Sequence, residues 1–464
     1  MKLFSSIKKS AELLGAASVG TLLLAGSAFA QDAAPAVPTI DTGDTAWVMM
    51  SAALVLLMTP GLAFFYAGMV RTKNVVSTLF QNFAALSVVG ILWCVAGYSL
   101  AFSGDVGGFI GNLGWFMLGG VGQEPNADLA ATIPHLSFMI FQCMFAIITP
   151  ALITGAIAER LNFKAWLCFA ALWSLFIYSP VAHWVWGVGG WIRNMGGMDF
   201  AGGLVVHVLA GYSALVAALM IGKRRDFGKE VRSYDVGYVM IGTGLLWFGW
   251  FGFNAGSALG ANGLAAHAFV TTFLGAASAA FAWSVVDSFL KGKPSAIGAC
   301  IGAVVGLVVI TPGAGFVTAG SALLMGAIGG AVCNFAAVLV KEKFKLDDTL
   351  DVFACHGLGG TIGSLLTPVF ASKAVNAAGA DGLLLGNFAP FQANLIGTVA
   401  VIGFSMVGTF VIIKAISLFT TFRVTDREEE HGLDSTQHGE FINSNFASET
   451  NAHVISHPAK NRAA

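Results

Sequence analysis

Eleven apolar stretches follow one another along the chain with only short polar breaks, at about 46 to 70, 75 to 103, 135 to 158, 163 to 186, 200 to 222, 234 to 258, 262 to 290, 295 to 312, 315 to 340, 350 to 371 and 392 to 421. Each is long enough to cross roughly 30 Å of hydrocarbon as a helix, a medium in which backbone polar groups must be bonded within the protein. The expected fold is an all-α integral membrane protein with eleven transmembrane helices. Charged residues make up 11% of the chain, against about 25% in an average soluble domain. That leaves too little polar surface for a soluble enzyme, and a net charge of −1 provides no basic field for nucleic acid. Glycine, 58 of 464 residues, suits helices that approach closely in a bilayer. Cys94, Cys143, Cys168, Cys300, Cys333 and Cys355 all fall in apolar stretches without CxxC spacing, so they read as packing residues rather than a disulfide framework or zinc site.

Residues 1–30 read as a secretory signal peptide, with Lys2, Lys8 and Lys9 at its start, an apolar run to Leu24 and Ala28-Phe29-Ala30 as a cleavage site. An uncleaved first helix is the alternative, but the apolar run is short and interrupted by glycine. Residues 31–45 are then a periplasmic lead, 46–422 the transmembrane domain and 423–464 a cytoplasmic tail. Loop charge sets the orientation. Sixteen Lys and Arg residues, from Arg71 and Lys73 through Arg160, Arg224 and Lys341 to Arg423 and Arg427, fall on one side, and only Arg193 and Lys373 on the other. The positive-inside rule places the first side in the cytoplasm, with the N-terminus outside.

Two short echoes suggest an internal duplication. Phe65-Tyr66-Ala67-Gly68 in the first stretch resembles Phe253-Asn254-Ala255-Gly256 in the sixth, and His207-Val208-Leu209-Ala210-Gly211 in the fifth resembles His356-Gly357-Leu358-Gly359-Gly360 in the tenth. Five is odd, so the second copy enters the membrane from the opposite side. This is a five-plus-five inverted repeat, with the pathway at its interface and the eleventh helix added. Short echoes also arise by chance in glycine-rich sequence.

Ionisable groups within apolar stretches are costly and mark functional sites by default. His207 and His356 stand near the middle of their stretches. Either one alone reads readily as a packing histidine bonded to a carbonyl; a matched pair is harder to read that way. Zinc would need further ligands, but Gly203 and Gly211 lie one turn from His207, and Val352 and Gly360 one turn from His356. On an ideal helix Asp351 sits about 140° away from His356. Two imidazoles in apolar surroundings should stay mostly neutral, because an imidazolium there loses its hydration. Such a pair can share one N–H and still offer a donor or acceptor to something passing. Phe141 and Phe145 share a helical face, and Trp247 to Phe253 is richly aromatic. Packing explains isolated aromatics, whereas such a cluster can also close a pore or hold a cation. Asp199 precedes the fifth stretch, where helix capping is its simplest role.

Five motifs in order, Phe141-Gln142-x-x-Phe145, Ala182-His183-x-Val185-Trp186-Gly187, Asp199-Phe200-Ala201-Gly202-Gly203-x-x-x-His207, Trp250-Phe251-Gly252-Phe253-Asn254-Ala255-Gly256-Ser257 and Asp351-Val352-Phe353-x-x-His356-Gly357, together resemble the Amt/Mep/Rh ammonium transporter family, bacterial Amt branch. The resemblance runs from about residue 45 to about 440. It implies a homotrimer in the inner membrane with one pathway per subunit, and neither cofactor nor metal. Trp186, Phe145 and Ser257 match the family's external ammonium site, Phe145 and Phe253 its stacked gate, His207 and His356 its pore histidines, and Asp199 its structural acidic residue. It further implies a P-II signalling protein as partner at the cytoplasmic face, although the chain continues past the regulatory segment, Arg423 to Glu440, by polar residues outside the pattern.

Ammonium resembles potassium in size and charge but can shed a proton. A dehydrated aromatic constriction excludes ions and admits ammonia, so deprotonation becomes the selective step. Transport is the expected function, with the proton following separately. A sensor reporting ammonium is the alternative, but about 40 tail residues are too few for a folded kinase-sized output domain. An enzyme is not expected, because no carboxylate or nucleophile accompanies the histidines.

Overall fold

The structure, a computed structural model, describes residues 39–229 and 232–443. The expected signal sequence, most of the lead and the tail past residue 443 lie outside these. In chain order the long helical elements are α1 (Thr42–Met69), α2 (Thr72–Phe102), α3 (His135–Ile157), α4 (Phe163–Asn194), α5 (Gly203–Ile221), α6 (Val236–Ala258), α7 (Gly263–Lys291), α8 (Ala296–Ile310), α9 (Ala319–Glu342), α10 (a π turn, Phe353–Leu358, running into Gly359–Phe370) and α11 (Ala389–Ile416). Among the described residues nine of these, all but α8 and α10, are long and apolar enough to cross a bilayer.

All eleven expected stretches are therefore helical, but two are short. α8 stops where Pro312 follows Thr311, since a proline disfavours helix in the residue before it. α10 starts late because Asp351 sits at a positive φ of 59°. From Gly302 to its end α8 is buried, so it is surrounded by protein along that length.

The polar breaks between stretches act as helix starts. The side chains of Asp41, Asn162, Asp235, Asn262, Ser295 and Thr318 each accept a backbone N–H from the first turn of α1, α4, α6, α7, α8 and α9 respectively. Asp41 explains why α1 begins at Thr42, ahead of the apolar run at 46.

α3 is the enclosed helix, 89% of its apolar window being buried against 33% for α7. α7 instead turns Phe269, Phe273, Phe281 and Phe289 outward. α1 packs along α6, and a Cβ on Gly242 would lie 2.3 Å from the Phe65 nitrogen, so this seam requires glycine.

Between α2 and α3 the chain leaves the bundle in two short hairpins that the all-α expectation did not contain, β1 (Asp105–Val106) with β2 (Ile110–Gly111) and β3 (Pro125–Asn126) with β4 (Ala130–Pro134). The first is tied to the end of α4 by His183 Nε2 and Asp105 at 2.8 Å and by Trp191 N–H donating to the Gly108 carbonyl. At the opposite end of the bundle the basic loops meet the tail, whose helix α12 (Asp426–His431) starts on a capping box of Thr425 and Glu428.

Candidate functional site

A cavity of about 230 Å³ opens beside the end of α4, with Trp186, Ser257, Gln142, Phe102, Phe138 and Arg193 in its wall. Two of these side chains are fixed by their own hydrogen bonds. Trp186 Nε1 donates to the Asp199 carbonyl at 2.9 Å, which sets the plane of the indole. Ser257 Oγ donates to the Phe253 carbonyl at 2.8 Å. The serine proton is thereby committed, and its lone pairs remain free to accept.

Below the cavity the rings run in sequence. Phe145 meets Trp186 edge to face at 5.9 Å and lies against Phe253 with centroids 4.2 Å apart. Phe253 then lies 6.1 Å from His207, nearly parallel, and Trp250 covers the same imidazole at 5.4 Å. Trp250 is held by its Nε1 donating to Thr311 Oγ1 at 2.8 Å. The two histidines face each other through their Nδ1 atoms at 3.3 Å, both buried. Beside them lies a cell of about 10 Å³, walled by Phe253, Trp250, Met58, Leu62, Val206 and Val304 among others. This is near the smallest space that holds one water. Among the described residues, no group of three His, Cys, Asp or Glu side chains could hold a metal ion.

Local sequence explains how two histidines from distant segments come to touch. Each sits in a π turn, Gly203–Val208 or Phe353–Leu358, a form that recurs at functional sites. Each turn is started by an aspartate eight residues before its histidine. Asp199 accepts the N–H groups of Gly202, Gly203, Leu204 and Val205 at 2.6 to 3.3 Å. Asp348 accepts those of Val352 and Phe353 at 3.1 and 2.7 Å. Each histidine is also followed four residues later by a glycine lying against the other histidine's element. A Cβ on Gly211 would fall 2.0 Å from the Gly357 nitrogen, and one on Gly360 would fall 2.8 Å from the Val208 nitrogen. The repeated His-x-x-x-Gly pattern is thus the close crossing that brings the imidazoles together.

On the tail face a basin of about 740 Å³ is lined by Lys223, Arg224, Lys229, Lys341 and Lys345 with Glu342 and Asp351. Beside it Glu159 binds Arg71 and Arg224 at 2.8 and 2.7 Å, and Arg224 also binds Asp347 at 2.8 Å. Burial pushes the Glu159 carboxyl up, but the two guanidinium groups outweigh it and hold it at about 2. The tail docks on the loops of its own chain here. Lys73 Nζ donates to the Glu429 and Glu430 carbonyls at 2.9 and 2.6 Å, Arg423 pairs with Glu429 at 2.6 Å, and Asp434 accepts the N–H groups of Val76 and Ser77 at the start of α2. Burial raises the Asp434 carboxyl to about 6 against these donors.

Trp186, Phe145, Phe253, His207 and His356 therefore form one line, with Ser257 on the cavity wall above and Asp199 behind it. Asp348 was not foreseen, although its eight-residue spacing to His356 repeats that of Asp199 to His207. Asp351 lies outside the helix and pairs with Lys341 at 2.7 Å, so the helical angle assumed for it does not apply.

Residues 46–442 match the model of the Ammonium Transporter Family. The chain is 48% identical over 398 residues to an ammonium transporter of Bacillus subtilis, covering 86% of this chain and 98% of that one. It is 43% identical over 399 residues to ammonium transporter Amt1 of Archaeoglobus fulgidus, with the same coverage. Among solved structures, Mep2 of Saccharomyces cerevisiae superposes with a TM-score of 0.78 at 35% identity, over 83% of this chain and 91% of that one. A structure titled as a sensor Amt protein matches with a TM-score of 0.78 at 29% identity, over 85% and 98%.

Proposed function

The chain belongs to the ammonium transporter family, and from that premise we propose that it captures ammonium at the Trp186 cavity, deprotonates it and conducts ammonia past Phe145 and Phe253 to the paired histidines, with the proton crossing separately. The observation that carries this reading is the unbroken line from Trp186 through the two phenylalanines to His207 and His356, ending in a cell of about 10 Å³. Aromatic faces and the Ser257 lone pairs suit a small cation. The apolar cell does not, because an ion there forfeits its hydration without replacement. Neutral ammonia fits and can exchange hydrogen bonds with the imidazoles, and the 3.3 Å Nδ1 contact allows a single proton to be shared.

Eleven spans in a five-plus-five inverted repeat, an inner-membrane homotrimer, a cleaved signal at 1–30, an N-terminus outside and a cytoplasmic tail complete the proposal. The basic loops on the tail face support that orientation, and the docked tail is a surface on which a P-II protein could act. Energy comes from the membrane potential, worth about 2.3 kcal/mol per charge at 100 mV. Current recordings on the purified protein in a bilayer test the reading. An ammonium pulse should evoke inward current that reverses with its electrochemical gradient, while potassium evokes little. Strictly electroneutral ammonium flux would reject proton coupling, and absence of any ammonium flux would reject transport. Ammonium sensing is the second reading, supported by the docked tail. Deleting the residues after Phe422 separates the two, since a transporter keeps its current and a sensor loses its output.

A further inference from the structure

Gln142 lies on α3 between Phe141 and Phe145, lines the Trp186 cavity and is 8% exposed. Its Oε1 is buried and without a partner, and among the described residues its amide nitrogen makes no hydrogen bond either. Nearly all buried polar groups are bonded, because an unmatched amide forfeits its hydration without return. The other polar groups on this wall are accounted for. Ser257 is bonded to the Phe253 carbonyl, Trp186 to the Asp199 carbonyl and Arg193 Nη1 to the Trp186 carbonyl at 2.7 Å, and Asp128 is open to water. Gln142 Oε1 is thus a buried, unmatched acceptor on a side chain of the cavity wall.

We propose that Gln142 is a direct ligand of the captured cation, its amide oxygen accepting one N–H of ammonium beside the acceptor supplied by Ser257. The inference rests on the capture reading of the Trp186 cavity. The last torsion of a glutamine is broad and roughly two-fold, and a half-turn of this amide breaks no bond because it makes none. The oxygen can therefore turn to a cation that arrives and turn away when it leaves. Ser257 and Gln142 together present two oxygen acceptors, which suit potassium as well, so discrimination against that ion stays with the deprotonation step. Methylammonium, with three N–H groups where ammonium has four, has one fewer to offer.

Saturation of current is measured for ammonium and methylammonium in wild type, Ser257→Ala, Gln142→Leu and Gln142→Glu, beside the melting temperature of each in detergent. Gln142→Leu should raise the half-saturating ammonium concentration about tenfold, the lower end for losing a hydrogen bond to a charged group. Maximal current should be near wild type and methylammonium should shift less. Gln142→Glu keeps an acceptor and should not weaken capture. If the leucine variant does not fold, Gln142→Met is read in the same way. A leucine variant with unchanged half-saturation and a raised melting temperature would make Gln142 a packing residue and overturn the inference. So would an equal loss in Gln142→Glu. If Ser257→Ala weakens capture and Gln142→Leu does not, this inference alone falls; if wild type carries no ammonium current, it falls together with the capture reading.

Discussion

The segments that carry His207 and His356 are built alike and placed differently. Each has an aspartate eight residues before its histidine, a π turn around it and a glycine four residues after it. Asp199 binds four backbone N–H groups and, among the described residues, has no ion-pair partner. Asp348 binds two and lies among the ion pairs of Asp347, Arg224, Asp351 and Lys341. The first segment stands under an aromatic cavity and the second over a basin ringed with lysines and arginines. One backbone device thus serves two ends of the bundle, and what differs between them is the side chains around it.

The largest effect expected is from Asp199→Ala, which strips four N–H groups of their acceptor and should cost about 4 kcal/mol in stability; Asp348→Ala, losing two, should cost about half as much. Melting in detergent measures both, and equal losses would break the comparison. Next, Gly211→Ala pushes a methyl group onto the Gly357 backbone and should cost about 3 kcal/mol, against about 1 kcal/mol for Gly360→Ala. Both should slow conduction by parting the imidazoles, and fast conduction in a stable Gly211→Ala protein would deny that the crossing sets the pathway.

His207→Ala should cost about 1 to 2 kcal/mol, because it leaves His356 without its ring partner, while selectivity for ammonium over potassium falls far more. His356→Ala should behave alike if the halves are equivalent. Full selectivity with lost stability would make the pair structural. The smallest effect concerns the tail face alone. Glu159 is held at about 2 in the fold, below its usual 4.5, so its contribution is complete above 4.5 and is lost as pH falls toward 2. The Glu159 contribution to melting should be constant from pH 7 to 5 and decline in stronger acid, and Glu159→Gln should remove that part of the decline. An unchanged acid limb would place the sensitivity elsewhere.

Much of this was legible in the sequence, for separable reasons. Apolar run length locates each helix because the bilayer imposes it, and the capping residues mark the breaks. The histidines stand out because ionisable groups are costly there, and their following glycines because the same five-residue pattern occurs twice. Asp348 escaped because the search for partners stayed within one helical turn of His356, whereas the contact is made to backbone groups at the start of a π turn. The shortness of α8 and α10 is invisible to hydropathy, since a helix enclosed by protein stays apolar whatever its length. The missing partners of Gln142 are a property of packing, which no spacing rule reports. The tail's attachment to its own loops includes Asp434 reaching the amide groups at the start of α2, a contact made across more than 350 positions of chain.

A cell of about 10 Å³ with carbon on nearly every side also bears on the water balance of whatever compartment the protein bounds. Water moves through a pore as a continuous file, each molecule passing its hydrogen bonds to the next, and a space for one molecule walled by Phe253, Trp250 and aliphatic side chains cannot sustain the file. Osmotic swelling of vesicles carrying the protein should match that of protein-free vesicles, so nitrogen could be drawn in through an open passage without turgor being lost through it.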